Sequence, residues 1–176
     1  FRDDLTRAGI DPSQLDIADN AAMTTFPDLI ATGKVDVAQV LEPVAATAIT
    51  EGRAHIWHRF ANRGDIGYTS FYTTRTYLQD HLDNCQTLLS GIERALEALA
   101  KESCVEIASE LSDLFPDVPT PILATAIGGY QSSNLWPRQS DLTVAAFVRL
   151  KSALLAGGLI SRDIPYENVI ARLEAS

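Results

Sequence analysis

Glu42 and Pro43 stand where an apolar run ends and a helical repeat begins, and chemistry in this sequence concentrates at that junction. Before it, Val35, Val37, Ala38, Val40 and Leu41 predict a short strand buried on both faces of a parallel sheet. After it, Pro43 suits a first helical turn, Val44, Ala45, Ala48 and Ile49 recur at helical spacing, and Gly52 supplies a stop. Open α/β sheets collect ligands where strands end and helices begin, so Glu42 and Pro43 are candidate ligand contacts. The free N–H groups of the helix start favour an anion, whereas the Glu42 carboxylate repels one and suits an amine or aminopyrimidine. The same carboxylate fits a second role, accepting hydrogen bonds from the helix start itself.

Other reactive side chains make no recognisable machinery. His55 and His58 would point to opposite faces of a strand, and no third ligand stands near them, so no metal site is expected. The G-x-S-x-G elbow, phosphate-binding glycine loop, dinucleotide fingerprint and HExxH pattern are all missing, so we expect no catalytic residues, no cofactor and no enzyme. Gly128-Gly129 and Gly157-Gly158 both read as helix ends. Cys85 and Cys104 fall near the starts of two consecutive expected helices. The first is about 17 residues long and so about 25 Å end to end, far beyond disulfide reach. Two free thiols, buried as small apolar groups, are the expectation.

The elements that would position the Glu42 turn alternate along the first part of the chain. Residues 1–9 read as a helix, 15–18 as a short strand, 26–33 as a helix, 53–60 as a strand and 68–74 as another, rich in aromatic and β-branched residues. Beyond residue 74 the pattern turns helical. Leu88, Ile92, Ala95, Leu96 and Leu99 form one stripe, and Ser103 with Glu106 makes a capping box. Thr120 with Pro121 opens a third helix, and Thr143 or Asp141 caps a fourth. The expected class is α/β, with residues 1–63 a lobe, 64–74 a linking segment and 75–176 helical. A charge of −9 on 176 residues disfavours nucleic acid as a partner. The opening FRDDLTRAGI reads as the middle of an amphipathic helix and suggests processing or truncation.

Taken in order, TGKVDVAQVLEPVA, EGRAHIWH, YTSFYTTRTYL, LWPRQSDLT and ALLAGGLISRDIPYENVI resemble the nitrate, sulfonate, taurine and thiamine-precursor group of ABC-transporter substrate-binding proteins. The resemblance implies a periplasmic-binding-protein-like (type II) two-lobe fold, present in part: a three-layer αβα lobe followed by an α-rich C-terminal portion, with the N-terminal lobe missing. It implies capture of a small polar solute in an interlobe cleft, delivery to an ABC permease, and a periplasmic or cell-surface location. On this resemblance the cleft wall comprises Asn20, Met23, Thr24, Glu42 and Pro43, with Tyr68, Thr69 and Ser70 on a crossing segment beside it. Tyr68 would either stack on a ligand ring or serve as a hinge or core aromatic. Thr69 and Ser70 would either touch ligand or be plain strand residues. Two other uses of the fold stay open: a ligand-sensing module of a regulator, and a thiamine-pyrimidine-synthase-like enzyme. The second needs a histidine and cysteine constellation, which the distant cysteines do not offer.

Overall fold

Ile107 and Ala108, adjacent on one short helix, meet Leu123 and Ile127, one turn apart on the next, and these four residues form the core cluster. In the computed structural model, which describes residues 2–18 and 21–173, helices and short 3-10 turns are joined by extended and irregular chain. The helices are α1 Arg2–Arg7, α2 Phe26–Ala31, α3 Val44–Thr50, α4 Arg75–Asp80, α5 Leu82–Lys101, α6 Cys104–Leu111, α7 Thr120–Ser132 and α8 Val144–Ala156. Leu99, Cys104, Leu111, Val118 and Trp136 close the edges of the α6–α7 core.

Local sequence explains where these helices start and stop. Ser103 Oγ accepts from the Glu106 N–H at 3.3 Å while the Glu106 carboxylate accepts from the Ser103 N–H at 3.1 Å, the expected capping box of α6. Thr143 caps α8 by accepting from the Ala146 N–H at 3.2 Å. Helix α3 packs on α7 and buries Ala46 and Ala48. It ends where the Gly52 N–H donates to the Ile49 carbonyl at 3.0 Å and the Arg53 N–H to the Ala48 carbonyl at 2.8 Å. That closure needs a left-handed residue, and Gly52 supplies it at φ 67°. At the other end of the chain, α8 buries Ala146 and Phe147, and Phe147 meets the Tyr166 ring edge-on at 5.4 Å. No helix among the described residues is long and apolar enough to cross a membrane.

The α/β expectation is overturned. Among the described residues there is no strand and no sheet, so the structure contains neither a three-layer αβα lobe nor a partial type II two-lobe fold. β-branched and apolar composition favours extended backbone, but a strand exists only through a hydrogen-bonding neighbour. Among the described residues no other extended segment pairs with residues 35–41, and the Val35 N–H turns back to the Leu29 carbonyl at the end of α2, 3.3 Å away. The Leu41 N–H approaches the Met23 Sδ at 3.4 Å instead, and Val37 is 54% exposed, so the apolar run is not covered on both faces. Residues 53–60 run irregularly into a 3-10 turn at Phe60–Arg63. Residues 68–74 are irregular, with a bend at Thr69, and solvent-facing: Tyr68 is 78%, Phe71 73% and Tyr72 96% exposed.

Residues 64–67 pass along α8. Gly67 is buried there, its N–H donating to the Ala146 carbonyl at 3.3 Å, and Arg149 reaches back to the Arg63 carbonyl at 2.8 Å. Both cysteines are free thiols and are half-buried rather than fully enclosed.

Candidate functional site

The Glu42–Pro43 junction is held from three directions. From below, the peptide bond between the two residues is cis and Pro43 caps α3. The Glu42 Oε2 bends forward to accept from the Ala46 N–H at 2.8 Å, satisfying one of the donors that a helix start leaves orphaned. From α7, the Tyr130 hydroxyl accepts from the Glu42 N–H at 3.1 Å. From the 3-10 turn Met23–Thr25, the Met23 thioether backs the Leu41 N–H.

Beside the second carboxylate oxygen the surface of α7 lacks a side chain. The point a Cβ would occupy on Gly129 lies 3.8 Å from Glu42 Oε1, 3.6 Å from Arg59 Nη1 and 4.0 Å from Arg59 Nη2. A carboxylate and a guanidinium therefore border the same bare patch of helix without forming an ion pair with each other. Arg59 is half-buried, and among the described residues no carboxylate pairs with it. Its planar fork of donors is suited to a carboxylate, sulfonate or nitrate-like group.

Tyr130, which touches this junction through its hydroxyl, also lines a cleft. The cleft encloses about 270 Å³ and is lined by Leu96, Leu99, Tyr130 and Trp136 together with the charged Glu102 and Arg138. The Tyr130 and Trp136 rings meet edge-on at 5.3 Å, a favourable aromatic geometry that fixes where the tyrosine hydroxyl points. Gln131, the next residue, donates to the carbonyls of Leu99 at 2.9 Å and Glu102 at 3.0 Å, so the end of α5 is anchored to α7 along the same wall.

Of the residues singled out in the sequence, Met23, Glu42 and Pro43 come together. Thr24 is exposed on the same 3-10 turn as Met23, and Asn20 lies outside the described residues. Tyr68, Thr69 and Ser70 sit on the exposed irregular segment, with a bend at Thr69. Ser70 Oγ donates to the Tyr68 carbonyl at 3.4 Å, and among the described residues no hydrogen bond joins any of the three to the Glu42 turn. His55 and His58 are exposed, and the His58 ring meets Phe60 edge-on at 5.6 Å.

Sequence reasoning missed Arg59, Gly129 and Tyr130. Arg59 looked like one residue of an alternating strand. Gly128-Gly129 reads as a helix end, yet both glycines lie inside α7, which continues to Ser132. Two consecutive glycines within a helical repeat signal a close approach, and the approaching groups are Cys104 at Gly128 and the Glu42–Arg59 pair at Gly129.

By sequence the chain is similar to a bacterial binding protein, and a binding role in that broad sense is what the similarity supports. The relative is the Bacillus subtilis (strain 168) protein described as "Putative binding protein YtlA", with 23% identity over 168 residues. The alignment takes in 94% of this chain and 50% of that protein, so the chain spans half the length of the relative it matches. No family model matches the chain, and no solved structure matches it.

Proposed function

We propose that the chain binds a small polar solute at the patch between Arg59, Glu42 and Gly129, as the solute-binding component of an ABC importer rather than as an enzyme. The observation that carries this reading is the half-buried Arg59 guanidinium, which lacks a carboxylate partner among the described residues and faces a stretch of α7 left bare by Gly129. A sulfonate or nitrate group fits the guanidinium, and an amine on the same solute fits the free oxygen of Glu42. Glu42 thus combines the two roles its position suggests, with one oxygen on the helix start and the other turned toward Gly129. The similarity to a binding protein supports capture rather than turnover. A periplasmic or cell-surface location and delivery to a permease complete the proposal.

The test is thermal-shift screening followed by calorimetry with nitrate, alkyl and amino sulfonates, and amine-bearing pyrimidines. A ligand that raises Tm should lose about 10- to 100-fold in affinity with Arg59→Ala, because a hydrogen bond to a charged group contributes about 1.5–3 kcal/mol. Absence of a shift with every solute in the panel, or binding that survives Arg59→Ala unchanged, overturns the assignment.

A further inference from the structure

The chain contains a single methionine, Met23, and its sulfur is engaged at the entry to α3. Met23 Sδ accepts from the Leu41 N–H at 3.4 Å, while the Tyr130 hydroxyl accepts from the next amide, that of Glu42. The Leu41 carbonyl accepts from the Ala45 N–H at 3.3 Å and the Glu42 carboxylate from the Ala46 N–H, so the first turn of α3 is registered on these same two residues. Among the described residues, no other hydrogen bond joins residues 21–25 to residues 35–43. The thioether is therefore the polar contact by which the Met23–Thr25 turn grips the chain leading into α3. A thioether is a weak acceptor and an oxidisable one, and Met23 is 38% exposed, open to a small oxidant.

We propose that Met23 is a site of reversible oxidation by a peroxide, and that its sulfoxide loosens the junction of Leu41 with Glu42. In the step, a sulfur lone pair attacks one peroxide oxygen. The S–O bond forms, the O–O bond breaks, and the second oxygen takes the proton of the first and leaves as water, or as an alcohol from an organic peroxide. Sulfur loses two electrons and the peroxide gains two. The product is polar and chiral at sulfur, and neither epimer keeps the present contact. An oxygen on the lone pair facing Leu41 does not fit within a 3.4 Å approach of sulfur to nitrogen, so the turn must move outward. An oxygen on the other lone pair faces water and withdraws electron density from the sulfur, leaving a poorer acceptor for the Leu41 N–H. In both cases the Glu42 carboxylate loses one of the contacts that set its position. The inference stands apart from which solute is bound, because its readouts are taken on the solute-free protein.

The experiment treats the chain and its Met23→Leu variant side by side with hydrogen peroxide. Peptide mass mapping should place one added oxygen on Met23, and the Leu41 and Glu42 amide resonances should move. Tm should fall by about 1–6 °C, the contribution of one hydrogen bond in a chain of this size. Treatment with methionine sulfoxide reductases, one for each epimer, should restore all three readouts. Met23→Leu should keep its Tm under peroxide, which separates the methionine from oxidation at Cys85 or Cys104. The proposal is overturned by a Met23 that stays unmodified in peroxide sufficient to oxidise a free methionyl peptide, or by Leu41 and Glu42 resonances that coincide in the oxidised and reduced chains. An equal loss of Tm in Met23→Leu, or a sulfoxide that the reductases do not reverse, overturns it as well.

Discussion

Replacing Gly129 by alanine separates the stability of α7 from the use made of its surface. Gly129 is a helical residue, and glycine inside a helix costs about 0.5–1 kcal/mol relative to alanine through the backbone freedom it loses on folding. The new methyl would meet Arg59 Nη1 at 3.6 Å and Glu42 Oε1 at 3.8 Å, ordinary van der Waals contacts, so no overpacking offsets the gain. For a chain of this size the gain corresponds to about 1–4 °C in Tm. Gly91→Ala on α5 is the control, because nothing lies within 4 Å of its added Cβ and its effect is helix propensity alone. The two variants should therefore gain similar stability in the absence of solute. Only Gly129→Ala fills the space bordered by the guanidinium and the carboxylate, so it alone should weaken a solute found in the screen, by about tenfold or more if about 1.4 kcal/mol of contact is lost. Differential scanning calorimetry and titration calorimetry on both variants give the two readouts. A fall in Tm for Gly129→Ala refutes the packing argument, and unchanged affinity refutes the placement of the site.

Two further outcomes test how the scaffold holds together. Hydrogen bonds from the Ser103 hydroxyl and backbone N–H hold the Glu106 carboxyl below its ordinary value of 4.5, so its contribution is complete above that pH and is lost as pH falls through the lower folded value. Glu106→Gln should consequently lower Tm at pH 7 by an amount that disappears in acid, and a difference constant from pH 7 into acid contradicts the charge-based account. At buried Gly67 an added Cβ would sit 2.9 Å from a Leu142 methyl and 3.5 Å from a Leu150 methyl, so Gly67→Ala should cost about 1 kcal/mol, or about 2–4 °C. An unchanged denaturation midpoint would show that the residues 64–67 segment does not pack on α8 as described.

What could be read from the sequence was whatever a few neighbouring residues decide. The Ser103–Glu106 box, the Thr143 cap and the Gly52 stop each need only a donor and acceptor within one turn, and each is present. The expected strands failed because pairing is a relation between distant parts of the chain, and residues 35–41 and 68–74 carry the composition of strands without a neighbour to complete them. The site divides along the same line. Glu42 and Pro43 were visible because a carboxylate beside a helix-opening proline is a local signal. Arg59 and Tyr130 reach the junction from 17 and 88 positions away, and nothing in their own neighbours marks the destination. The glycine pair in α7 was the one trace of that convergence in the sequence. A helix gives up stability at Gly129 and leaves bare the point that the Glu42 carboxylate and the Arg59 guanidinium both approach, which is why stability and binding should move in opposite directions there.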